Sequence, residues 1–193
     1  MGDVYHGNET MDEERGDRLT VLGIDPGYAL MGWGVVESEG SRMKLINYGC
    51  IETKAGVPMQ HRLRTLQLGV RDLLAMYHPD DVAFEELFFA RNVTTALMVG
   101  AARGAAIIAA AEYTENLYEY TPMQIKQAVT GYGRADKNQV SSMVKMLLNL
   151  KEMPKPDDVT DALAIAICQA HTGINSAFEA VAGYQYGRYG KRE

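Results

Sequence analysis

Leu19-Thr20-Val21-Leu22-Gly23-Ile24-Asp25-Pro26-Gly27 decides how the rest of this 193-residue chain is read. The apolar run 19–24 reads as a buried strand, and the Pro-Gly behind it ends the strand and turns the chain sharply. Asp25 is left at the strand's mouth, where ordinary folding disfavours a carboxylate. A second acidic group opens a helix far downstream. Val159, Ala162, Leu163, Ala166 and Ile167 recur at i, i+3, i+4, i+7 and i+8, with Pro154 and Pro156 just ahead of them. Asp158 and Asp161 are three residues apart and therefore project from one side of that helix.

Working outward from the first strand, residues 32–37 and 45–52 read as two more strands, with Ser38-Glu39-Gly40-Ser41 as the turn between them. Such short connections predict an antiparallel meander. Leu63, Leu66, Val70, Leu73, Leu74 and Tyr77 mark an amphipathic helix, and after His78-Pro79 the run Val82-Ala83-Phe84 makes a fourth strand ending at Glu85. An Ala- and Gly-rich helix over about 92–112 and a strand at 117–120 follow. Thr121-Pro122 opens a short helix that Gly131 closes, and Val140, Met143, Val144, Leu147 and Leu148 mark another. The order βββαβα, then a strand and three helices, predicts an α/β fold with helices on the faces of one sheet.

At this length, 47% hydrophobic and 23% charged residues predict a single domain with its own core. The expected division is a disordered acidic leader at 1–17, a folded domain at 18–173 and a flexible tail at 174–193. The tail's Tyr184-Gln185-Tyr186-Gly187-Arg188-Tyr189-Gly190-Lys191-Arg192 mixes aromatics with cations. The net charge of -6 is concentrated in the leader, which holds six acids against Arg15 and leaves about -1 for the remainder. That balance excludes a general basic footprint but permits phosphate contacts at selected places.

Cys50 and Cys168 are too few for a disulfide framework or a zinc cluster, and they read as reduced core residues of a reducing compartment. His6, His61, His78 and His171 show no ligand spacing. The beginning of the chain has no apolar signal-like run, and His6 stands where a myristoylation motif needs Ser or Thr. The most apolar helix, around 97–111, is interrupted by Arg103 and reads as too short to cross a bilayer. A cytoplasmic location is expected.

Ligands of mixed and parallel sheets gather beyond the carboxyl ends of strands, so Asp25 and Glu85 can meet there if the helix bearing Asp158 and Asp161 crosses that mouth. Two unit charges about 4 Å apart repel by roughly 4 kcal/mol at a protein-like dielectric, which a divalent cation relieves. Oxygen donors without His or Cys point to magnesium or manganese. Blander readings stand beside these. Asp157 and Asp158 also suit the free N–H groups at a helix start, whereas Asp161 lies a turn too deep to cap. Glu85 and Glu86 point to opposite faces of a strand, and the two-residue period does not choose between them. Lys126 and Lys137 read alone as surface lysines, and Phe88 and Phe89 as core. Gly100 and Gly104 allow close backbone approach, either to the sheet or across a dimer face.

This order of elements, with Asp after the first strand, Glu after the fourth and a D-x-x-D helix, resembles the RNase H-like nucleases, and within them the RuvC family of Holliday junction resolvases. The resemblance covers about 19–172 and rests on Leu22-Gly23-Ile24-Asp25-Pro26-Gly27, Phe84-Glu85-Glu86-Leu87-Phe88, Gly100-Ala101-Ala102-Arg103-Gly104, Gln124-Ile125-Lys126-Gln127, Gly131-Tyr132-Gly133-Arg134-Ala135-Asp136-Lys137 and Asp161-Ala162-Leu163-Ala164. It implies an RNase H-like fold, a mixed five-stranded sheet of three antiparallel and two parallel strands flanked by helices. It also implies that Asp25, Glu85, Asp158 and Asp161 hold two Mg2+ ions per subunit, with Mn2+ able to substitute, and it selects Glu85 over Glu86.

The chemistry it implies is two-metal phosphodiester hydrolysis leaving 5'-phosphate and 3'-hydroxyl ends. Lys137 would sit near the scissile phosphate, Lys126 on the DNA backbone and Phe88 on a base near the crossover. The implied partners are four-way junction DNA, a second copy in a two-fold dimer, and the branch-migration proteins RuvA and RuvB. Other functions stand against this one. They are a non-catalytic junction-binding protein of the same fold, a related nuclease acting on flaps or hybrids, and an ATP-binding actin- or sugar-kinase-like domain. The last needs a second domain and a second Asp-x-Gly loop that this chain lacks.

Overall fold

A computed structural model describes residues 18–87 and 93–174, so the expectations for the leader, for Phe88 and for the tail beyond 174 lie outside the described residues. Within them the chain forms β1 (Arg18–Asp25), β2 (Leu30–Glu39), β3 (Arg42–Glu52), α1 (Met59–Tyr77), β4 (Asp81–Glu85), α2 (Val93–Ala111), β5 (Leu117–Tyr120), α3 (Pro122–Thr130), α4 (Lys137–Leu147) and α5 (Asp157–Ile174). The order is the one expected. The β2–β3 hairpin is longer than the expected strands, because Gly40, at φ +58°, lets Gly40-Ser41 turn the chain alone and leaves 38, 39 and 42–44 free to pair.

The strands lie in the order β3-β2-β1-β4-β5. β2 pairs antiparallel with β1 and β3, while β4 pairs parallel with β1 and β5, which makes the mixed five-stranded sheet. Side chains alternate across it. Leu22, Ile24, Val82 and Phe84 pack toward α1 and α2, and Val21, Ala83 and Tyr120 pack toward α3, α4 and α5. α5 is the central helix of the second layer, with every residue from 162 to 170 buried.

α5 rests almost on the sheet's backbone. A Cβ added at Gly23 would lie 2.2 Å from the carbonyl oxygen of Ala162, and one at Gly32 would lie 2.2 Å from that of Asp158. No side chain fits at either position, so the helix that carries Asp158 and Asp161 is pressed against β1 and β2 at the level of Asp25. Gly32 is Asp25's antiparallel partner.

α2 corrects one expectation. The helix itself lies within the expected 92–112, but its apolar stretch is longer than the 97–111 reading: Thr94–Ala111, with mean hydropathy 1.5, is long and apolar enough to cross a membrane by length and composition. Arg103 does not interrupt it, because its guanidinium pairs with Glu119 of β5 while Ala102, Ala106, Ala109 and Ala110 fill the core beneath. Cys168 is buried and Cys50 half-buried, and both are free thiols.

Candidate active site

Alternation along the two parallel strands settles which carboxylates meet. Val21 and Gly23 face α5, so Asp25, two residues on, faces it too. Ala83 faces α5 and Phe84 the opposite layer, so Glu85 joins Asp25 on the α5 side. β1 and β4 run side by side with Ile24 opposite Phe84, which makes Asp25 and Glu85 neighbours one step beyond the last pair. From above, α5 begins at Asp157 and brings Asp158 and Asp161 to the same end. The two-residue period left Glu85 and Glu86 open and the family resemblance selected Glu85, which the sheet puts on the α5 side.

Lys137 arrives from the first turn of α4. Asp136 caps that helix by accepting from the Gln139 N–H at 2.9 Å, and the Gln139 side chain accepts from the Asp136 N–H at 2.8 Å. This reciprocal cap fixes the start of α4, and Lys137 Nζ lies 3.2 Å from both Asp157 Oδ2 and Asp161 Oδ2. Lys126, on α3, lines one cavity with Glu85, Lys137 and Asp161 over an apolar floor that includes Ile125 and Val140. A second cavity, on the other side of Glu85, is lined by Asp25, Glu85, Glu86, Val99 and Pro122. Glu85 and Pro122 belong to both, so an acidic trough and a lysine-bearing trough share one wall.

The electrostatics show a cluster of acids under tension. Asp25 is raised to about 7, first by burial and then by Asp161, Glu85 and Asp158, with Lys137 opposing. Glu85 is raised by burial and by Asp161, against the pull of Lys126. Asp161 is raised by burial, with Lys137 pulling it down and Asp157 and Asp158 pushing it up. Lys137 feels burial as a lowering influence, but its hydrogen bonds and charge pairing with Asp157 and Asp161 outweigh it and raise its pKa.

Among the described residues no three His, Cys, Asp or Glu side chains are drawn into a finished metal cage. The donor set nonetheless suits hard divalent cations. It offers carboxylate oxygens alone, and the three acids around Asp25 oppose its ionisation in a way that a cation would offset.

Six of the seven residues singled out in the sequence thus lie around this one end of the sheet. Phe88, the seventh, falls outside the described residues. Two further acids were not singled out. Glu86, passed over in favour of Glu85, lines the cavity with Asp25, and its N–H donates to the Tyr120 carbonyl. Asp157, read only as a helix-start residue, pairs with Lys137. Its position beside Asp158 was the available signal, but nothing in a one-dimensional reading placed Lys137 opposite.

Comparison with known proteins agrees with this arrangement. Residues 21–169 match the family model described as crossover junction endodeoxyribonuclease RuvC. The chain is 54% identical over 155 residues to the protein of that name from Alkaliphilus metalliredigens, covering 80% of this chain and 94% of that one. It is 55% identical over 152 residues to its counterpart from Brevibacillus brevis, covering 79% and 92%. The solved structure of T. thermophilus RuvC in complex with a Holliday junction substrate superimposes with a TM-score of 0.78 at 39% identity, covering 81% of this chain and 95% of that one. Fold, acidic cluster and relatives agree: the chain belongs to the RuvC family of crossover junction endodeoxyribonucleases.

Proposed function

We infer that this protein resolves Holliday junctions in recombination and repair, nicking two like strands of four-way DNA symmetrically by metal-dependent hydrolysis. The observation that carries this reading is the coupling of Asp25 to Glu85, Asp158 and Asp161 at one end of the sheet. Those four carboxylates would hold two Mg2+ ions per subunit, with Mn2+ able to substitute. Such ions, when bound, lower the pKa of the attacking water and neutralise charge on the phosphate and the departing 3' oxygen.

The chain's own residues supply the rest. Lys137, at the edge of the acidic cluster, would present its ammonium to the scissile phosphate and stabilise the charge that develops there. Lys126, across the shared trough, binds the neighbouring backbone phosphate, and Phe88 stacks on a base beside the crossover. The water oxygen bonds to phosphorus, the P–O3' bond breaks and the 3' oxygen takes up a proton. The products are 5'-phosphate and 3'-hydroxyl ends.

Symmetric cutting needs two sites, and α2 supports a homodimer. Leu97 is 69% exposed and Ile108 56%, and a Cβ at Gly104 would meet nothing within 4 Å. This leaves an apolar, small-residue face suited to a second copy. RuvA and RuvB as branch-migration partners, a cytoplasmic location, and the division into leader, nuclease domain at 18–173 and tail belong to the same reading.

The test is a nicking assay on a mobile four-way junction in magnesium or in EDTA, with cuts mapped on all four strands. Paired cuts in opposed strands that need the cation are expected. A dimer that shifts junction DNA yet never nicks it across magnesium and manganese titrations would instead be a non-catalytic junction binder.

A further inference from the structure

The turn that follows Asp25 is held more firmly than a surface turn requires. Thr53, buried at the end of β3, donates its N–H to the Ala29 carbonyl at 2.9 Å and its hydroxyl to the Tyr28 carbonyl at 2.6 Å. Arg62, in the first turn of α1, donates Nε–H to Thr53 Oγ1 at 2.8 Å and Nη2–H to the Tyr28 carbonyl at 3.3 Å. Its guanidinium carbon lies 3.8 Å from the centre of the Tyr28 ring. An arginine ordinarily directs its fork at a carboxylate, but this one grips the Thr53 hydroxyl together with the carbonyl and the ring face of Tyr28. Gly27 closes the turn so tightly that a Cβ there would lie 1.8 Å from the Leu30 carbonyl oxygen.

The need for such a grip comes from Asp25, which is crowded by Asp161, Glu85 and Asp158. Repulsion among these acids would favour a displaced end of β1, and the 26–30 turn is the chain that leads directly from it. We propose that Arg62 is a positioning residue that, through Thr53 and Tyr28, clamps this turn and holds Asp25 inside the acidic cluster. The role deepens the nuclease reading and rests on it. Arg62 touches neither substrate nor cation, and acts by keeping the Asp25 carboxylate where cations can be shared.

Three variants test it. Arg62→Lys keeps the charge and loses the fork, Thr53→Val keeps the shape and loses the hydroxyl, and Thr53→Ser keeps the hydroxyl. The first two are expected to melt within a few degrees of the parent and to bind four-way DNA normally in EDTA. They should bind Mn2+ about tenfold more weakly in DNA-free calorimetry, as loss of a supporting hydrogen bond does at other metal sites. In EDTA their amides at 28–30 should exchange faster with solvent, and their half-saturating Mg2+ for nicking should rise in step. Thr53→Ser should match the parent throughout.

Unchanged Mn2+ affinity and exchange in Thr53→Val would overturn the clamp, as would a loss that Thr53→Ser fails to restore. If Arg62→Lys does not fold, the two Thr53 variants decide alone. A parent protein that binds no Mn2+ would overturn the metal reading instead, and amide exchange in EDTA would still judge the clamp.

Discussion

Two carboxylates are tucked into the same sheet, and their surroundings are opposite. Asp81 opens β4 and Asp25 closes β1, and burial is the largest influence raising the pKa of each. Asp81 is met by an amide: Gln169 donates Nε2–H to its Oδ2 at 2.6 Å, and the same side chain accepts from the Tyr120 hydroxyl. Gln169 is only 1% exposed, so this chain of polar groups is matched within the core and joins β4, β5 and α5. Asp25 is met by other acids. A buried acid supplied with donors serves the fold, whereas acids packed against acids await a cation. α5 carries both situations, with Gln169 toward one end and Asp158 and Asp161 at the other.

Substitutions can break this contrast. The largest effect should come from Asp25→Asn, which is expected to lower nicking at least about a thousandfold while junction binding in EDTA persists. Strand-mapped gels and band shifts would check it. Lys137→Met comes next, with roughly a hundredfold loss in the single-turnover rate, the scale seen when one charge-stabilising donor is removed. Asp157→Asn should lower that rate less than about fivefold, because the pair it breaks is solvent-exposed.

On the matched side, Gln169→Leu strands the Asp81 carboxylate and the Tyr120 hydroxyl. A loss of about 2–3 kcal/mol in urea unfolding is expected, with the folded fraction still nicking. If Gln169→Leu abolished nicking without changing stability, the assignment of Asp81 to folding would fail.

The smallest effect sharpens the comparison most. Asp25 holds its proton up to about pH 7 in the folded protein, against an ordinary value of 3.8, so the native state binds that proton more tightly than the unfolded chain does. Ionised Asp25 therefore destabilises the cation-free fold above pH 7, and this burden lifts as the pH falls from about 7 toward 4. Asp25→Asn should melt at least about 3 °C above the parent in EDTA at pH 8, with the gap narrowing at pH 5 and closing near pH 4. Because cations compete with the same proton, half-saturating Mg2+ should rise as the pH drops below 7.

Much of this was legible along the chain, because apolar period and turn chemistry are local. The order of ten elements, the mouth position of Asp25, and the shared side of Asp158 and Asp161 all followed from spacing. The rest depends on contacts between distant segments. Spacing did not choose Glu85 over Glu86; that took the family resemblance or the knowledge that α5 covers the face of Val21 and Ala83. Gln169 sits in an apolar helix stretch, and its partners are 88 and 49 residues away. Arg62 and Thr53 resemble ordinary surface residues until the 26–30 turn is folded beneath them. The apolar stretch of α2 was read as broken because an arginine sits inside it, and only Glu119 shows where that charge is answered.

Gly23 and Gly32 do no chemistry, yet they act as a spacer gauge. Because the central helix lies on bare peptide there, the gap between β1 and α5 is set by main-chain dimensions and has no rotamer play. The two-cation site proposed above would need ions only about 3.5–4 Å apart, so a tolerance of that kind would govern whether both could be gripped at once. A single methyl group under the helix would act as a shim, widening the jaws while leaving every acidic residue in place.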